Sequence, residues 1–468
     1  MDYKKLGFKC GIEIHQQIDS NKLFCNCPSI VHDSNPDIFF ERKLRAVAGE
    51  TGKVDIAAKA EVEKDRVYKY EACSSSACLV ELDEEPPHEV NRECLLVALE
   101  VAKLLNMTVV DCVEFMRKTV VDGSNVSGFQ RTALVAIDGY LATSKGKVVI
   151  DSLCLEEEAA KKVNEKKHEV TFRLDRLGVA LLEIATDASI KDAEHAKEVS
   201  SILGMILRST GKVKRGIGTI RQDVNVSIKG HPRVELKGFQ ELRYMPKVVE
   251  TEVKRQQKTK TGESHVRKVN PDGTSIFMRP MPGAARMYPE TDVPPIKITK
   301  RMLDSIVLPE LIDEKVLRYE KEYSLSPDLA RALIKEEKDF VSYVQQFKNI
   351  EPNFLAQVIV SYPKELKTRL NIKNEVSEKH LREILSEFNE GNIVKEAILD
   401  LMSQAAEGKK LNFKQFKSLD EKDLEKEIIQ IINKNKGAPF GGIMGEVMKQ
   451  FRGKVDGKII SELVKKHF

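Results

Sequence analysis

The sequence predicts a soluble, multidomain chain whose first part mixes α and β structure and whose last part is helical. Three observations carry this reading. The 468 residues leave room for two to four domains. Short β-type runs alternate with a few helical stretches up to about residue 295. Beyond Pro295 glycine almost vanishes for about 95 residues, while Leu, Lys, Glu and Ile recur at helical spacing. Apolar side chains make up 41% and charged ones 32%, a soluble balance that can bury several cores without cross-links.

The elements follow in chain order. Gly11-Ile-Glu-Ile-His15 alternates as a strand, with Glu13 and His15 on one face and Ile12 and Ile14 on the other. Residues 90–106 place Leu95, Leu96, Ala98, Leu99 and Ala102 at helical spacing and end in Asn106, a C-cap type. Residues 132–137 and 147–150 read as strands. Residues 192–209 read as a helix stopped by Thr210-Gly211, and residues 239–257 as another that runs into a charged, exposed connection. Five prolines within residues 279–295 exclude a central strand or a helix interior. They leave either a boundary linker or an ordered irregular segment crossing an active-site rim. Ser324-Leu-Ser-Pro-Asp328 starts a helix, and helical texture continues to the end apart from a break at residues 436–442.

Charge and composition narrow the function. A net charge of +4 argues against a nucleic-acid coat protein, yet residues 409–468 carry fourteen Lys or Arg against eight Asp or Glu. This basic tail suits a phosphate-backbone contact or a solvated helical face. No run of about 18 apolar residues spans a membrane and no apolar core of a secretory signal opens the chain, so a cytoplasmic location is expected. Eight cysteines are too few for a disulfide scaffold. Cys25 with Cys27 and Cys73 with Cys78 are close pairs, suiting buried structural thiols or a zinc site. P-loop, zincin and nucleophile-elbow motifs are absent, and the basic Gly211–Gly218 segment has neither a P-loop nor a Rossmann spacing.

The chemistry-bearing residues are acidic. Glu13 and His15 side by side suit a divalent ion or a positioned base, or else a solvated strand face. Glu156-Glu-Glu158 suggests a solvated face or the first turn of a helix. Glu183 lies inside the apolar run Val179–Ala185, where a carboxylate is costly without a cation or metal. Asp223 and Glu235 alternate with apolar neighbours. Strands that each present a carboxylate to one face would build an oxygen-ligand Mg²⁺ site, suited to ATP chemistry without a P-loop.

At these residues the sequence resembles a known family, the B/E-type subunits of tRNA-dependent amidotransferases. The resemblance begins with Gly11–Gln17 and Lys22-Leu-Phe-Cys-Asn-Cys27. It continues through Arg117–Thr132, Leu155–Ala160, Asp175–Ile184, Ile220–Ser227, Val234–Gly238 and Met287–Pro295, covering nearly all of residues 7–297. Gly442–Met448 resembles the family's C-terminal domain. Cys78–Pro87, Asp122–Thr132 and Arg279–Tyr288 resemble the archaeal E type. Two departures stand out. The domain that E-type members carry, similar to one in bacterial aspartyl-tRNA synthetases, is replaced by a short link at Gln256–Arg267. The B-type C-x-x-C also does not follow Cys27, so a zinc site would draw on Cys25, Cys27 and the Cys73/Cys78 pair.

The resemblance implies an α+β fold. An antiparallel-sheet cradle like that of glutamine synthetase and guanido kinases (1–297) would be followed by a helical domain (298–375) and a YqeY-like tRNA-binding tail (376–468). It implies an ATP-dependent ligase converting Glu-tRNA(Gln) to Gln-tRNA(Gln), with ammonia from a D-type partner, an asparaginase-like amidase. Glu13, His15, Glu157, Glu183, Asp223 and Glu235 become candidate catalytic Mg²⁺ ligands. Arg117, Lys118, Arg176 and Arg221 become candidates for phosphate neutralisation, and Ser124, Asn125 and Gln130 for substrate contact or the ammonia path. The alternatives are a B-type subunit also acting on Asp-tRNA(Asn), and an inactive tRNA-binding or assembly subunit.

Overall fold

Alternation in Lys9–Gln17 makes this stretch a strand, β1, with Ile12 and Ile14 fully buried on one face and Glu13 and His15 on the other. The same rule organises a computed structural model of the chain. It describes all residues except 33–34, 49–51, 55, 240, 260–261, 282–285, 337, 417–420, 436 and 452–456. Two compact units result, Met1–Leu311 and Ile312–Phe468.

In the first unit the strands after β1 are β2 (Ile38–Arg42), β3 (Val67–Ala72), β4 (Thr108–Val109), β5 (Cys112–Val113), β6 (Phe115–Thr119) and β7 (Phe129–Thr143). Next come β8 (Gly146–Glu157), β9 (Lys161–Lys166), β10 (Glu169–Arg173), β11 (Ala180–Thr186) and β12 (Ile220–Ser227). The last are β13 (Val234–Lys237), β14 (His265–Val269), β15 (Ser275–Pro280), β16 (Met287–Pro289) and β17 (Ile296–Lys297). An eleven-stranded sheet has the order β15-β14-β13-β12-β1-β11-β8-β7-β6-β16, with β4 also on β7. Its neighbours are antiparallel except β13 and β14. A mixed α and β fold dominated by an antiparallel sheet is thus what the texture of the first 295 residues encodes.

The helices of this unit are α1 (Ile56–Val62), α2 (Arg92–Leu104), α3 (Ala193–Ser209), α4 (Met245–Lys258) and α5 (Lys300–Asp304). Asn91 caps α2 by accepting from the backbone N–H of Glu93 and Cys94, and Asn106 follows its end at φ +54°, the left-handed conformation that stops a helix. Asp192 caps α3. The apolar faces of α2, α3 and α4 join Ile12, Ile14, Leu153, Leu155, Leu182, Ile184, Val224 and Val226 in one core. Since that core covers one face of the sheet, alternate residues of the same strands project from the other. This opposite face carries the candidate site.

A smaller sheet, β2-β3-β10-β9, supports one wall of that face. Its Tyr68 and Tyr70 hydroxyls donate to the carbonyls of Val121 (3.0 Å) and Gly123 (2.9 Å). The proline-rich stretch is, where described, the ordered rim segment and not merely a linker. Glu290 within it accepts from Arg117 and Arg131.

The second unit is helical: α6 (Ile312–Tyr323), α7 (Pro327–Lys335), α8 (Phe340–Gln346), α9 (Pro352–Thr368), α10 (Glu378–Asn389) and α11 (Ala397–Ala406). Ser326 caps α7 with Pro327 in its first turn, as the Ser-Pro signal requires. Helices on both sides of residue 375 share one core, in which Leu355 and Ile359 join Ile384, Leu385 and Leu401. The last three, α12 (Glu421–Lys434), α13 (Phe440–Phe451) and α14 (Gly457–His467), have their own cluster around Ile428, Val447 and Val464. No described helix is long and apolar enough to cross a membrane.

The Asp122–Gly128 turn tests how the two sheets cooperate. Gly123 has φ +86°, and a Cβ there would lie 2.1 Å from Tyr68 Cδ1. Gly123→Ala is expected to cost about 1–3 kcal/mol, read as a lower denaturant midpoint. An unchanged midpoint would show that the turn yields freely.

Candidate active site

Register brings the acidic residues together. Glu13 lies opposite Asp223 of β12, and His15 lies opposite Arg221 of β12 and Glu183 of β11. On β8, Leu153 and Leu155 face the core, so Cys154 and Glu156 share the open face with Glu183. Glu235 and Lys237 of β13 extend the row, as does Lys118 of β6. The result is a polar cleft of about 360 Å³ whose walls also include Ser124, Asn125, Gln130, Arg233, Arg279 and Arg286.

Two donor groups sit in this cleft. In one, His15 Nε2 is 3.9 Å from Glu156 and 3.8 Å from Glu183, while Lys118 Nζ lies 2.6 Å and 3.5 Å from the same carboxylates. In the other, Lys237 Nζ is 2.6 Å from both Asp223 and Glu235, and Asn225 donates to Glu13 at 2.9 Å. The ligand atoms within each set, His15/Glu156/Glu183 and Glu13/Asp223/Glu235, lie within 4.8 Å of one another. His15 Nδ1 is buried without a hydrogen-bond partner among the described residues.

The electrostatics fit cation binding. Burial, then the Glu235 and Glu183 charges, pushes the Glu13 carboxyl up to about 7. Burial and Glu183 likewise raise Glu156, whereas the Lys118 charge opposes burial at Glu183 and its carboxyl is held low. Burial keeps the His15 ring below its usual range, hence neutral and able to ligate through a ring nitrogen. Burial opposes the charge on Lys237, but Asp223 and Glu235 more than offset it.

The sequence candidates separate accordingly. Glu13, His15, Glu183, Asp223, Glu235, Lys118, Arg221, Ser124, Asn125 and Gln130 gather at or beside the cleft. Glu157 does not. As the next residue after Glu156 it turns to the opposite side, where its carboxylate accepts the Arg131 backbone N–H at 2.9 Å and lines a small separate chamber. Arg117 also faces away, donating to Glu290 (2.6 Å) and Asp292 (2.9 Å). Arg176 is spent on the carbonyls of Ala159 and Ala160. The Glu156–Glu158 run is neither a solvated face nor a helix start: all three side chains are buried at the end of β8. Glu158 instead binds Arg221 at 2.9 Å.

Sequence reasoning missed Glu156, Lys237, Arg233, Arg279 and Arg286. Strand parity in Leu-Cys-Leu-Glu and Val-Glu-Leu-Lys was the available signal for the first two. The cysteines form a separate group. Cys25, Cys27 and Cys78 are joined by Glu81, not by Cys73, with ligand atoms within 4.8 Å. Glu81 accepts from Cys25 Sγ (3.0 Å) and the Cys78 N–H (2.8 Å), and the fully buried Lys22 ammonium is 3.7 Å away.

A β-sheet face with paired carboxylate groups, an imidazole and converging cations is a donor set of the kind that suits a divalent ion. Comparison with known proteins makes this particular. Residues 8–304 match the GatB/GatE catalytic domain and residues 338–468 the GatB domain. The chain belongs to the GatB/GatE family of tRNA-dependent amidotransferase subunits. It is 36% identical to the E-type subunit of glutamyl-tRNA(Gln) amidotransferase from Methanocaldococcus jannaschii, covering 100% of this chain and 99% of that one. It is 38% identical to the protein of the same name from Archaeoglobus fulgidus, covering 100% and 98%. The first alignment runs over 623 positions against the 468 residues here, so that relative carries sequence this chain lacks.

The raised Glu13 carboxyl has a measurable sign. Its proton is held more tightly folded than unfolded, so between about pH 4.5 and 7 its contribution to stability falls as pH rises. Glu13→Gln should therefore gain stability relative to wild type on going from pH 5 to pH 8 in metal-free buffer. A constant difference between the two melting curves would contradict the buried charge.

Proposed function

We propose that this chain is the E-type subunit of a heteromeric amidotransferase that converts Glu-tRNA(Gln) to Gln-tRNA(Gln) with ATP. The observation that carries the reading is the convergence of two carboxylate groups, His15 and a set of cations in one cleft. In this reading a γ-carboxylate oxygen of the tRNA-bound glutamate attacks the γ-phosphorus of ATP, and the bond to the ADP oxygen breaks. Ammonia then attacks the acyl carbon, phosphate leaves with the former carboxylate oxygen, and a proton is lost. Glu13, His15, Glu156, Glu183, Asp223 and Glu235 would hold Mg²⁺, directly or through water. Bound there, the ion supplies charge neutralisation between the phosphates and the incoming carboxylate. Lys118, Lys237 and Arg221, with Arg233 and Arg279 of the cleft wall, meet phosphate charge. Ser124, Asn125 and Gln130 contact the glutamyl group or line the ammonia route.

The same reading assigns a glutamine synthetase-like cradle to residues 1–297, a helical domain to 298–375 and a tRNA-binding tail to 376–468, although the helical domain shares its core with the first helices of that tail. Lys449 and Lys465, both exposed, and Lys466 would contact the RNA backbone. Arg452 and Lys454, expected to share this role, lie outside the described residues, and the side chain of Lys458 is not described. An asparaginase-like amidase, the D-type partner, would supply ammonia. Glu183→Ala is expected to reduce the ATP- and Glu-tRNA-dependent phosphoryl intermediate about a hundredfold or more in folded protein. Unchanged turnover would remove Glu183 from the site. Ammonium chloride should replace the amidase partner, whereas an assembly subunit without catalysis would form no Gln-tRNA.

A second metal reading rests on the cysteine group. Three thiols and one carboxylate are a donor set that suits tetrahedral Zn²⁺. Purified chain should then release about one zinc per molecule on thiol modification, and Cys27→Ser should abolish it. Zinc-free, folded protein would leave Cys25 hydrogen-bonded to Glu81, with the Lys22 ammonium as its buried counter-charge.

A further inference from the structure

The two lysines inside the cleft are not placed as ordinary phosphate contacts. Lys237 sits between Asp223 and Glu235, 2.6 Å from an oxygen of each. Lys118 stands in the same relation to Glu156 (2.6 Å) and Glu183 (3.5 Å). Each ammonium therefore engages two of the three members of one donor group, and each group has its own lysine. Glu13 and His15, two residues apart on β1, put the groups about 7 Å apart along the strand. That spacing separates two cation positions.

A divalent ion ligated by Asp223 and Glu235 approaches their oxygens to about 2.1 Å, closer than the ammonium. Both ions cannot occupy the space between the same two carboxylates, so entry of one displaces the other. Glu13, Asp223 and Glu235 together carry up to three negative charges against one ammonium, an imbalance that favours a doubly charged ion. A displaced Lys237 stays on its strand, at the wall of a cleft that also holds Arg233 and Arg279. The phosphates of a nucleotide are the anions that would meet it there.

We propose that Lys118 and Lys237 are exchangeable counter-ions: each holds one of two separate divalent-cation positions and moves onto substrate phosphate when a cation takes its place. This rests on the nucleotide-and-cation reading of the cleft, and it adds to that reading a two-ion stoichiometry and an opposite effect of each lysine on the two ligands. Toward the ion each lysine acts through the shared carboxylates, and toward the nucleotide it acts by direct contact with phosphate.

The test uses Mn²⁺ as the ion and a fluorescent ATP analogue with Mg²⁺ as the nucleotide, on the full chain. Free Mn²⁺ is followed by electron paramagnetic resonance, and folding is checked by circular dichroism. Wild type should bind two Mn²⁺. Lys237→Met should bind one of them about tenfold tighter and the nucleotide about tenfold weaker, and Lys118→Met should do the same at the other position. Lys237→Arg, which keeps the charge, should stay near wild type in Mn²⁺ affinity. Folded methionine variants whose Mn²⁺ affinity is unchanged or weaker would overturn the exchange, as would an arginine variant that behaves like the methionine one. Wild type that binds neither Mn²⁺ nor the nucleotide would instead overturn the reading of the cleft itself. Binding of both ligands, with unchanged Mn²⁺ affinity in the variants, would overturn the lysine exchange and leave the cleft's nucleotide-and-cation role standing.

Discussion

A carboxylate removed from water must be met by a cation or a proton, and this requirement organises the first unit. Strands β1, β8, β11, β12 and β13 bury one face in the apolar core and direct Glu13, Glu156, Glu183, Asp223 and Glu235 to the other. Lys118 and Lys237 answer those charges from the same face, and Arg221 answers the neighbouring Glu158. The turn around Gly123 and the described residues Arg279, Met281 and Arg286 wall the cleft that holds these contacts. The same oxygens are the donors on which the proposed cation would draw.

Much of this was legible in the sequence. The strand at Gly11–His15 and the helices at 90–106, 192–209 and 239–257 follow from period and caps, since their apolar residues reach a core and the ends of the first two helices carry Asn91, Asn106 and Asp192. Glu183 stood out because an apolar strand gives a carboxylate no solvent. What the sequence left open was pairing at a distance. That Glu13 meets Asp223 and His15 meets Glu183 depends on register across strands separated by more than 160 residues.

The misplaced residues have a common cause. Charge and neighbourhood point to Glu157, Arg117 and Arg176, but neither says which side of the chain a residue occupies. Parity from Leu153 and Leu155 favours Glu156, and the same rule sends Arg117 away from Lys118. Glu81 was hidden for another reason: a carboxylate completing a thiol group three residues after Cys78 breaks the expected cysteine pattern. Of the remaining arginines, Arg279 lies near the end of the edge strand β15, and Arg286 lies in the proline-rich stretch beyond it, whose path no periodicity describes.

The central claim is that the cleft activates a carboxylate by phosphorylation, and oxygen tracing tests it most directly. Glu-tRNA(Gln) carrying ¹⁸O in the γ-carboxylate is incubated with the chain, ATP, Mg²⁺ and ammonium chloride, and the released phosphate is examined by mass spectrometry. One ¹⁸O is expected in each phosphate released with Gln-tRNA formation. Gln-tRNA formed with unlabelled phosphate would contradict the claim, because the carboxylate oxygen would then never have been bonded to phosphorus.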